Sequence, residues 1–254
     1  MTAFVDDLVA QVLTLEVALH AARERLAART DGEALHDMRI AVRKLRSLLR
    51  PLRGRPMMDS LEQAASAFGG RSGPLRDAEV LCAELLRLEQ ADLLPPRGHA
   101  LQTGYQQLLG GAELNLLLQM LDRWPELCRQ TQRDGELQGA RREVSKLLRK
   151  QARKLGEALA DPAHDRHRLR LLIKRVRYGD EAYPQLSTLG KREQALLKAA
   201  QSALGEWHDL LQWLVQAERH VDLRELTPLW QQAMLEAERR ADEACEALVE
   251  HFPT

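Results

Sequence analysis

The sequence predicts an all-α protein made of two similar halves. Apolar residues recur with helical spacing along nearly all of the 254 residues, and no alternating apolar and polar stretch competes with that pattern. The chain is rich in Leu, Ala, Arg, Glu and Gln, which is the composition of packed helices. Two related pairs of motifs, each separated by about 130 residues, indicate that the second half repeats the first.

Gly, Pro and Asp divide the chain into predicted helices of roughly 15 to 25 residues, long enough to present whole turns to a bundle core. The predicted breaks lie at Asp31-Gly32, Pro51 to Pro56, Gly69 to Pro74, Pro95-Pro96, Gly110-Gly111, Asp134-Gly135, Asp161-Pro162, Pro184 to Gly190 and Thr227-Pro228.

The internal repeat sets the expected domain organisation. LHDMRIAVRKLRSLL (35–49) aligns with RHRLRLLIKRVRYGD (166–180), and GPLRDAEVLCAELL (73–86) aligns with GEWHDLLQWLVQAE (205–218). The flanking helices also fall into register, 1–29 with 136–160 and 97–128 with about 227–251. We therefore expect one domain of two four-helix repeats, about 1–131 and about 135–254, related by approximate two-fold symmetry.

The first motif places its basic residues on one face of a helix. Within a sector of about 80° on a helical wheel lie His36, Arg39, Arg43, Arg46 and Arg50. The opposite face is apolar and is predicted to enter the core through Met38, Val42, Leu45, Leu49 and Leu52.

The second motif repeats this arrangement. Its basic face carries His167, Arg170, Lys174 and Arg177, and its apolar face carries Leu169, Ile173 and Val176. Tyr178 joins the edge of the basic face. Glu181 also falls on that face, where we expect it to hold one arginine in place.

Such faces point to an anionic ligand. The formal net charge is zero, but from His36 to Arg55 there are seven Lys/Arg and one acid, Asp37. Like charges one turn apart repel by a few tenths of a kcal/mol, and a bound anion removes that repulsion. Arg binds phosphate oxygens in a bidentate manner, Lys adds a compact charge, and His can donate a hydrogen bond or a proton.

Two further features leave alternatives open. Arg76-Asp77 and His208-Asp209 are predicted to begin helices, where Asp either favours the helix dipole or orients a neighbouring Arg or His. A third basic stripe on 136–160 either extends the anion site or is an ordinary solvated face; it consists of Arg142, Lys146, Arg149 and Arg153.

Several classes of protein and site are not favoured. Cys82, Cys128 and Cys245 are far apart and odd in number, so neither a structural zinc site nor a disulfide framework is predicted. The sequence indicates no metal ligand set and no cofactor. No apolar run approaches the roughly 20 residues of a membrane span, and the N-terminus is acidic where a signal peptide is basic. We expect a cytoplasmic protein.

The motifs resemble those of the CHAD family, a helical domain family named for its histidines. The resemblance rests on HxxRxxxRKxR from His36 to Arg46, HxxRxxxKRxRY from His167 to Tyr178, and GPLRDAEVL, and it covers essentially the whole chain. It implies two pseudo-symmetric four-helix bundles packed around a basic central channel that binds inorganic polyphosphate. It also implies association with polyphosphate or polyhydroxyalkanoate granules.

The resemblance also implies binding roles for the residues of this sequence that match the motifs of the family. The implied polyphosphate-binding residues are His36, Arg39, Arg43, Lys44, Arg46, Arg76, His167, Arg170, Lys174, Arg175, Arg177, Tyr178 and His208. A second tier comprises Arg50, Arg142, Lys146, Arg149 and Arg153. Arg76 and His208 share one repeat position with different chemistry, so the resemblance does not predict a symmetric role for them. Many relatives carry a triphosphate-tunnel enzyme domain, and no residues remain for one here, so we expect no catalysis.

Three other functions are open beside a polyphosphate-binding module. His36-Asp37, His164-Asp165 and His208-Asp209 invite comparison with metal-dependent phosphohydrolases, but arginines surround these pairs and repel a cation. Basic helices also bind nucleic acid, although single-strand binders interleave aromatic platforms with the charge, and here Tyr178 is the one aromatic residue in the stripes. A scaffold or granule coat is compatible with polyphosphate binding.

Overall fold

The computed structural model describes residues 2–161 and 165–252. Within these residues the regular structure is entirely helical, with nine α-helices joined by short turns and 3₁₀ helices and no strand, which confirms the predicted all-α class. The helices are α1 (Thr2–Ala28), α2 (Ala34–Leu49), α3 (Pro56–Arg87), α4 (Leu94–Leu109), α5 (Ala112–Arg133), α6 (Ala140–Leu159), α7 (Arg166–Ala182), α8 (Lys191–Arg219) and α9 (Thr227–Val249).

Packing divides the chain into two compact units, Met1–Val144 and Ser145–Thr254. In each unit the helix with the His/Arg motif (α2 or α7) is followed by a 3₁₀ turn and then by the long helix with the second motif (α3 or α8). The first unit departs from the expected four helices, because Gly110 and Gly111 separate α4 from α5 where the second unit has the single helix α9. Its described residues therefore form five complete α-helices.

The core of the first unit is built on the apolar face of α2. The predicted core residues Met38, Val42, Leu45, Leu49 and Leu52 are all buried. The long helix α3 packs against α2, α4 and α5, and α1 packs against α2 and α5. Burial of this apolar face turns the opposite, basic face of α2 toward the surface and toward α3.

Helix α3 corrects one prediction of the sequence. The stretch from Gly69 to Pro74 does not break the chain; α3 continues through it with Pro74 inside the helix. Proline removes the amide that would bond the carbonyl of Gly70. Packing of α3 against three helices of its unit supports the helix across this point, and Arg39 donates to the carbonyl of Gly69 beside it.

The second unit is built around α8, which packs against α7 and α9. The predicted core residues Leu169, Ile173 and Val176 are buried. At the end of α7 the buried carboxylate of Asp180 accepts hydrogen bonds from the hydroxyl of Ser187 and from Nε2 of Gln194, the latter at 2.9 Å. These bonds tie the connection from α7 to the first turn of α8.

The three cysteines lie in three different helices, α3, α5 and α9. Cys82, Cys128 and Cys245 are free thiols, and the last two are buried. Among the described residues, no helix is both long enough and apolar enough to cross a membrane.

Candidate anion-binding site

The basic face of α2 lies against α3 rather than fully in solvent. His36, Arg39, Arg43 and Arg46 are half-buried, whereas Lys44 is exposed on the flank of the helix. Arg50, predicted for the second tier, lies in the 3₁₀ turn that follows α2 and is also half-buried. The helix thus presents a row of basic side chains, of which Arg39 and Arg46 are held by groups on α3.

Arg39 is held by the part of α3 that was predicted to be a break. Its Nη1 donates to the carbonyl oxygen of Gly69 at 3.1 Å and to Oγ of Ser72 at 2.8 Å. A Cβ on Gly73 would lie 3.8 Å from the same nitrogen, an ordinary van der Waals distance, so the guanidinium packs directly against this turn of α3. Burial lowers the pKa of Arg39, and the charge of Asp77 acts in the opposite direction.

Arg46 is positioned by a carboxylate that the sequence did not single out. Glu62 on α3 is buried, and its Oε1 accepts from Nε of Arg46 at 3.2 Å and lies 2.9 Å from Nη2 of Arg53. Two guanidinium groups therefore share one carboxylate and keep an excess of positive charge. A Glu within a long helix carries no sequence signal for this role, which depends on the packing of α3 against α2.

Arg76 and His36 approach each other across α3 and α2. Burial lowers the pKa of His36, and the positive charge of Arg76 lowers it further. Arg76 is fixed in turn by Glu79, whose Oε2 lies 2.9 Å from its Nη1. The second carboxylate oxygen of Glu79 accepts a hydrogen bond of 2.7 Å from the hydroxyl of Tyr105 on α4.

In the second unit, residues of the two motifs also lie close to each other. The ring centroids of His167 on α7 and His208 on α8 lie 6.1 Å apart. Burial, followed by the charges of Arg170 and Lys174, lowers the pKa of His208 to about 4. Nδ1 of His208 is buried and has no hydrogen-bond partner within the described residues, so this ring is held by packing beside cations.

Arg177 is the counterpart of Arg46 and is also positioned by polar partners. Its Nη1 donates to Oε1 of Gln201 at 2.9 Å, and its Nη2 donates to Oε1 of Glu181 at 2.5 Å. The bond with Glu181 confirms the prediction that this carboxylate holds an arginine. Tyr178 is buried, and the guanidinium of Arg177 lies 5.5 Å from the centroid of its ring.

A cleft of about 480 Å³ opens between α6 and α7 on the other flank of the second motif. It is lined by Lys154, Glu157, His167, Arg168, Leu171, Leu172 and Arg175. His167 and Arg175 were predicted as site residues, whereas Lys154 and Arg168 were not. Arg168 and Arg175 are seven residues apart on one face of α7, a spacing from which the sequence could have shown this second basic face.

The remaining basic stripe is the solvated face of α6. All four of its residues are exposed, and Nη1 of Arg153 lies 3.2 Å from Oε1 of Glu157 one turn on. These residues are Arg142, Lys146, Arg149 and Arg153. They share a helix with Lys154, which does line the cleft.

Asp77 and Asp209 do not lie at the starts of helices, where the sequence predicted them. Arg76-Asp77 lies in the interior of α3, and His208-Asp209 lies in the interior of α8, so neither pair begins a helix. A helix-start dipole therefore does not account for Asp77 or Asp209. The charge of Asp77 acts on Arg39 instead, which agrees with the interpretation that it supports a residue of the stripe.

The other His-Asp pairs give their carboxylates to structural bonds. Asp37 accepts from Nη1 of Arg25 at 2.7 Å. Asp165 caps α7 by accepting the backbone amide of His167 at 2.8 Å, while His164 lies outside the described residues. Both described carboxylates therefore take part in bonds that hold the helices, Asp37 with α1 and Asp165 at the start of α7.

The fold and the site define a helical protein in which each unit sets a His/Arg face against the following long helix. A family model for the CHAD domain matches residues 11–219, and the chain belongs to this family. The crystal structure of the CHAD domain from the plant Ricinus communis is similar over 98% of this chain and 92% of that one, with a TM-score of 0.74 and 24% identity. That likeness shows the fold. No curated protein matches the chain.

Proposed function

We propose that this protein binds inorganic polyphosphate through the basic faces of α2 and α7 together with their partners on α3 and α8. One observation carries the proposal: in both units the histidine of the first motif lies next to the basic residue of the second motif. These neighbours are His36 with Arg76 and His167 with His208. The shared placement supports equivalent roles for Arg76 and His208 despite their different chemistry.

The chemistry of these faces suits a linear polyanion. Arginines held by Ser72, Glu62 and Gln201 offer their remaining N–H groups in fixed directions, which favours bidentate bonds to phosphate oxygens. A chain with about one negative charge per phosphate neutralises many cations at once and releases their counterions, by analogy with nucleic acids. Preorganised arginines lose little side-chain entropy on binding, so the gain in affinity is large.

His36 and His208 act in this proposal as neutral hydrogen-bond donors at physiological pH. The pKa of His208, at about 4, and the lowered pKa of His36 keep both rings uncharged in the free protein. A polyanion beside either ring favours its protonated form and raises its pKa. Acid therefore adds charge to the site when polyphosphate is bound.

The proposal extends to the architecture that the resemblance implies. We place the two basic faces along one central channel between two pseudo-symmetric helical repeats, with α5 as an addition to the first repeat. The internal repeat of the sequence and the matching order of helices support this arrangement. The α6–α7 cleft, with Lys154 and Arg168, extends the path of the ligand along the second unit.

The proposed role is binding without catalysis, in the cytoplasm and on polyphosphate or polyhydroxyalkanoate granules. The acidic partners support this role, because Glu62, Glu79 and Glu181 each bond an arginine. Carboxylates used in this way position cations for an anion.

Calorimetric titration with long-chain polyphosphate tests the proposal. We expect wild type to bind tightly and an Arg39→Ala/Arg170→Ala variant to lose about 100-fold in affinity, since each charge-assisted contact contributes roughly 1.5 kcal/mol or more. Arg123→Ala/Arg192→Ala removes the same charge from exposed positions on α5 and α8 and serves as the matched control. Equal losses of affinity in the two variants would show that net charge alone, and not the position of Arg39 and Arg170, accounts for the effect.

Two further assays separate polyphosphate binding from the other candidate functions. Release of orthophosphate from polyphosphate, with and without Mn²⁺, tests for a phosphohydrolase. Competition between polyphosphate and single-stranded RNA tests for a nucleic-acid binder. We expect no release, and we expect polyphosphate to displace RNA because the faces lack aromatic stacking platforms.

A further inference from the structure

A cluster of potential metal ligands lies on the first unit, away from the basic face of α2. Glu16 and His20 project from α1, and Asp122 projects from α5. One carboxylate oxygen from each acid and one imidazole nitrogen all lie within 4.8 Å of one another. Such a spacing allows a single ion to contact all three groups.

Two of these residues lie on one helix at helical spacing, and the third comes from a helix that packs against it. Glu16 and His20 are four residues apart, which places them one above the other on the same face of α1. Asp122 is brought to them because α1 and α5 pack together in this unit. Their neighbours Leu19 and Leu121 are buried, so both helices are anchored in the core next to the cluster.

The charge of the cluster favours a cation. Glu16 and Asp122 bring two carboxylate oxygens within 4.8 Å of each other, and a divalent ion between them would offset their repulsion. Glu16 and His20 are half-buried and Asp122 is exposed, so an ion can reach the cluster from solvent.

We propose that Glu16, His20 and Asp122 form a divalent transition-metal site of the Zn²⁺ or Mn²⁺ class that joins α1 to α5. An imidazole nitrogen with two carboxylate oxygens is a donor set that such ions accept, and three protein ligands leave a position for water. Ca²⁺ prefers six to eight oxygen ligands and fits this set less well. The bound ion would link the N-terminal helix to a helix about 100 residues later in the chain.

The sequence does not reveal this site, for a physical reason. A Glu and a His at helical spacing are common on exposed helix faces, and the third ligand lies on a distant helix. The ligand set exists only after α1 and α5 have packed.

Titration with Zn²⁺ in polyphosphate-free buffer, followed by calorimetry and thermal unfolding, tests the proposal. We expect one ion per chain and a rise of about 5 °C or more in Tm at a hundredfold excess over Kd, because the ion binds the folded state. We expect Mn²⁺ to bind more weakly than Zn²⁺, and Ca²⁺ more weakly still.

Two substitutions locate the ion. Asp122→Asn keeps the shape of an exposed side chain, and His20→Gln removes the nitrogen ligand; each is expected to weaken Zn²⁺ binding at least about tenfold. His99→Gln changes an exposed histidine on α4 of the same unit and should leave binding unchanged. No saturable binding in wild type, or unchanged affinity in Asp122→Asn, would overturn the proposal.

The metal site and the polyphosphate site are tested independently. The Arg39→Ala/Arg170→Ala variant should bind Zn²⁺ as wild type does, and Asp122→Asn should bind polyphosphate as wild type does. Loss of one activity therefore leaves the other inference standing.

Discussion

The rings of His167 and His208 lie 6.1 Å apart in the second unit, the repeat position at which the first unit brings His36 to Arg76. Each unit thus sets a histidine from one helix beside a basic residue from the next. In both places burial is the first cause of a lowered histidine pKa, and a neighbouring cation adds to it. In the free protein His36 and His208 therefore favour the uncharged imidazole among permanent cations, and a polyanion beside them would favour the protonated form.

Polyphosphate affinity should rise in acid because of His208. Its pKa is about 4 in the free protein and is raised when a polyanion lies beside it. Binding is then accompanied by uptake of a proton on His208. The affinity therefore increases as the pH falls from the pKa of His208 in the complex toward its pKa in the free protein, about 4. Calorimetry between about pH 8 and pH 5 should show this increase in wild type and a smaller one in His208→Gln, given the usual His range. Identical profiles would remove His208 from the site.

The same histidine should destabilise the free fold in acid. Its pKa falls from 6.5 to about 4 on folding, so the unfolded chain binds more protons in that interval. The free energy of unfolding therefore decreases as pH drops from 6.5 toward 4. Urea unfolding at both ends of the interval, without polyphosphate, should show a smaller decrease in His208→Gln than in wild type. An equal decrease in both proteins would assign the acid sensitivity to other groups.

Ser72 should tune affinity without contributing charge. Its buried hydroxyl accepts from Arg39 at 2.8 Å, and Ser72→Ala removes that support while leaving the guanidinium in place. We expect about 1 kcal/mol of lost stability and a several-fold weaker affinity for polyphosphate. The slope of log affinity against log salt should stay constant, because the number of neutralised phosphates is unchanged. Ser66→Ala, a half-buried serine on the same helix, is the matched control.

Substitution of Glu62 should change the stability of the fold and the affinity for polyphosphate in opposite directions. This buried carboxylate bonds Arg46 and Arg53, and Glu62→Gln removes its charge with little change in shape. We expect a loss of about 1 to 3 kcal/mol in the free energy of unfolding, limited because both arginines are partly exposed. Polyphosphate binding should strengthen at low salt, since two guanidinium groups lose their competitor. Unfolding in urea and calorimetry on the same protein measure the two effects. A weaker affinity would show that the positioning of Arg46 by Glu62 outweighs its competition with phosphate for the guanidinium groups.

The sequence predicted the parts of the structure that depend on local periodicity. Met38, Leu45 and Ile173 are buried as their spacing required, and Glu181 bonds the arginine one turn before it. The errors come from tertiary packing. The small residues around Gly69 indicated a break, yet they lie inside α3, which packs against α2, α4 and α5 and holds Arg39 through the carbonyl of Gly69.

The supporting residues of the site could not be predicted from the sequence for a related reason. Ser72 and Glu62 have ordinary helical positions, and their roles follow from the rotation of α3 that faces them toward α2. The predicted helix starts at Arg76-Asp77 and His208-Asp209 were wrong, because α3 continues through Gly69 to Pro74 and α8 runs without interruption from Lys191 to Arg219.

The α6–α7 cleft gives a last test of how far the anion site extends. Lys154 and Arg168 line it beside His167 and Arg175, and both are close enough to the second motif to bind the same polyanion. Lys154→Ala/Arg168→Ala should weaken polyphosphate binding roughly tenfold and reduce the salt slope by about 0.7 for each phosphate that is no longer neutralised. Arg192→Ala/Lys198→Ala changes two exposed cations on α8 and should have a much smaller effect. If the two double variants behave alike at all salt concentrations, the cleft lies outside the ligand path and the site ends at the α7–α8 face.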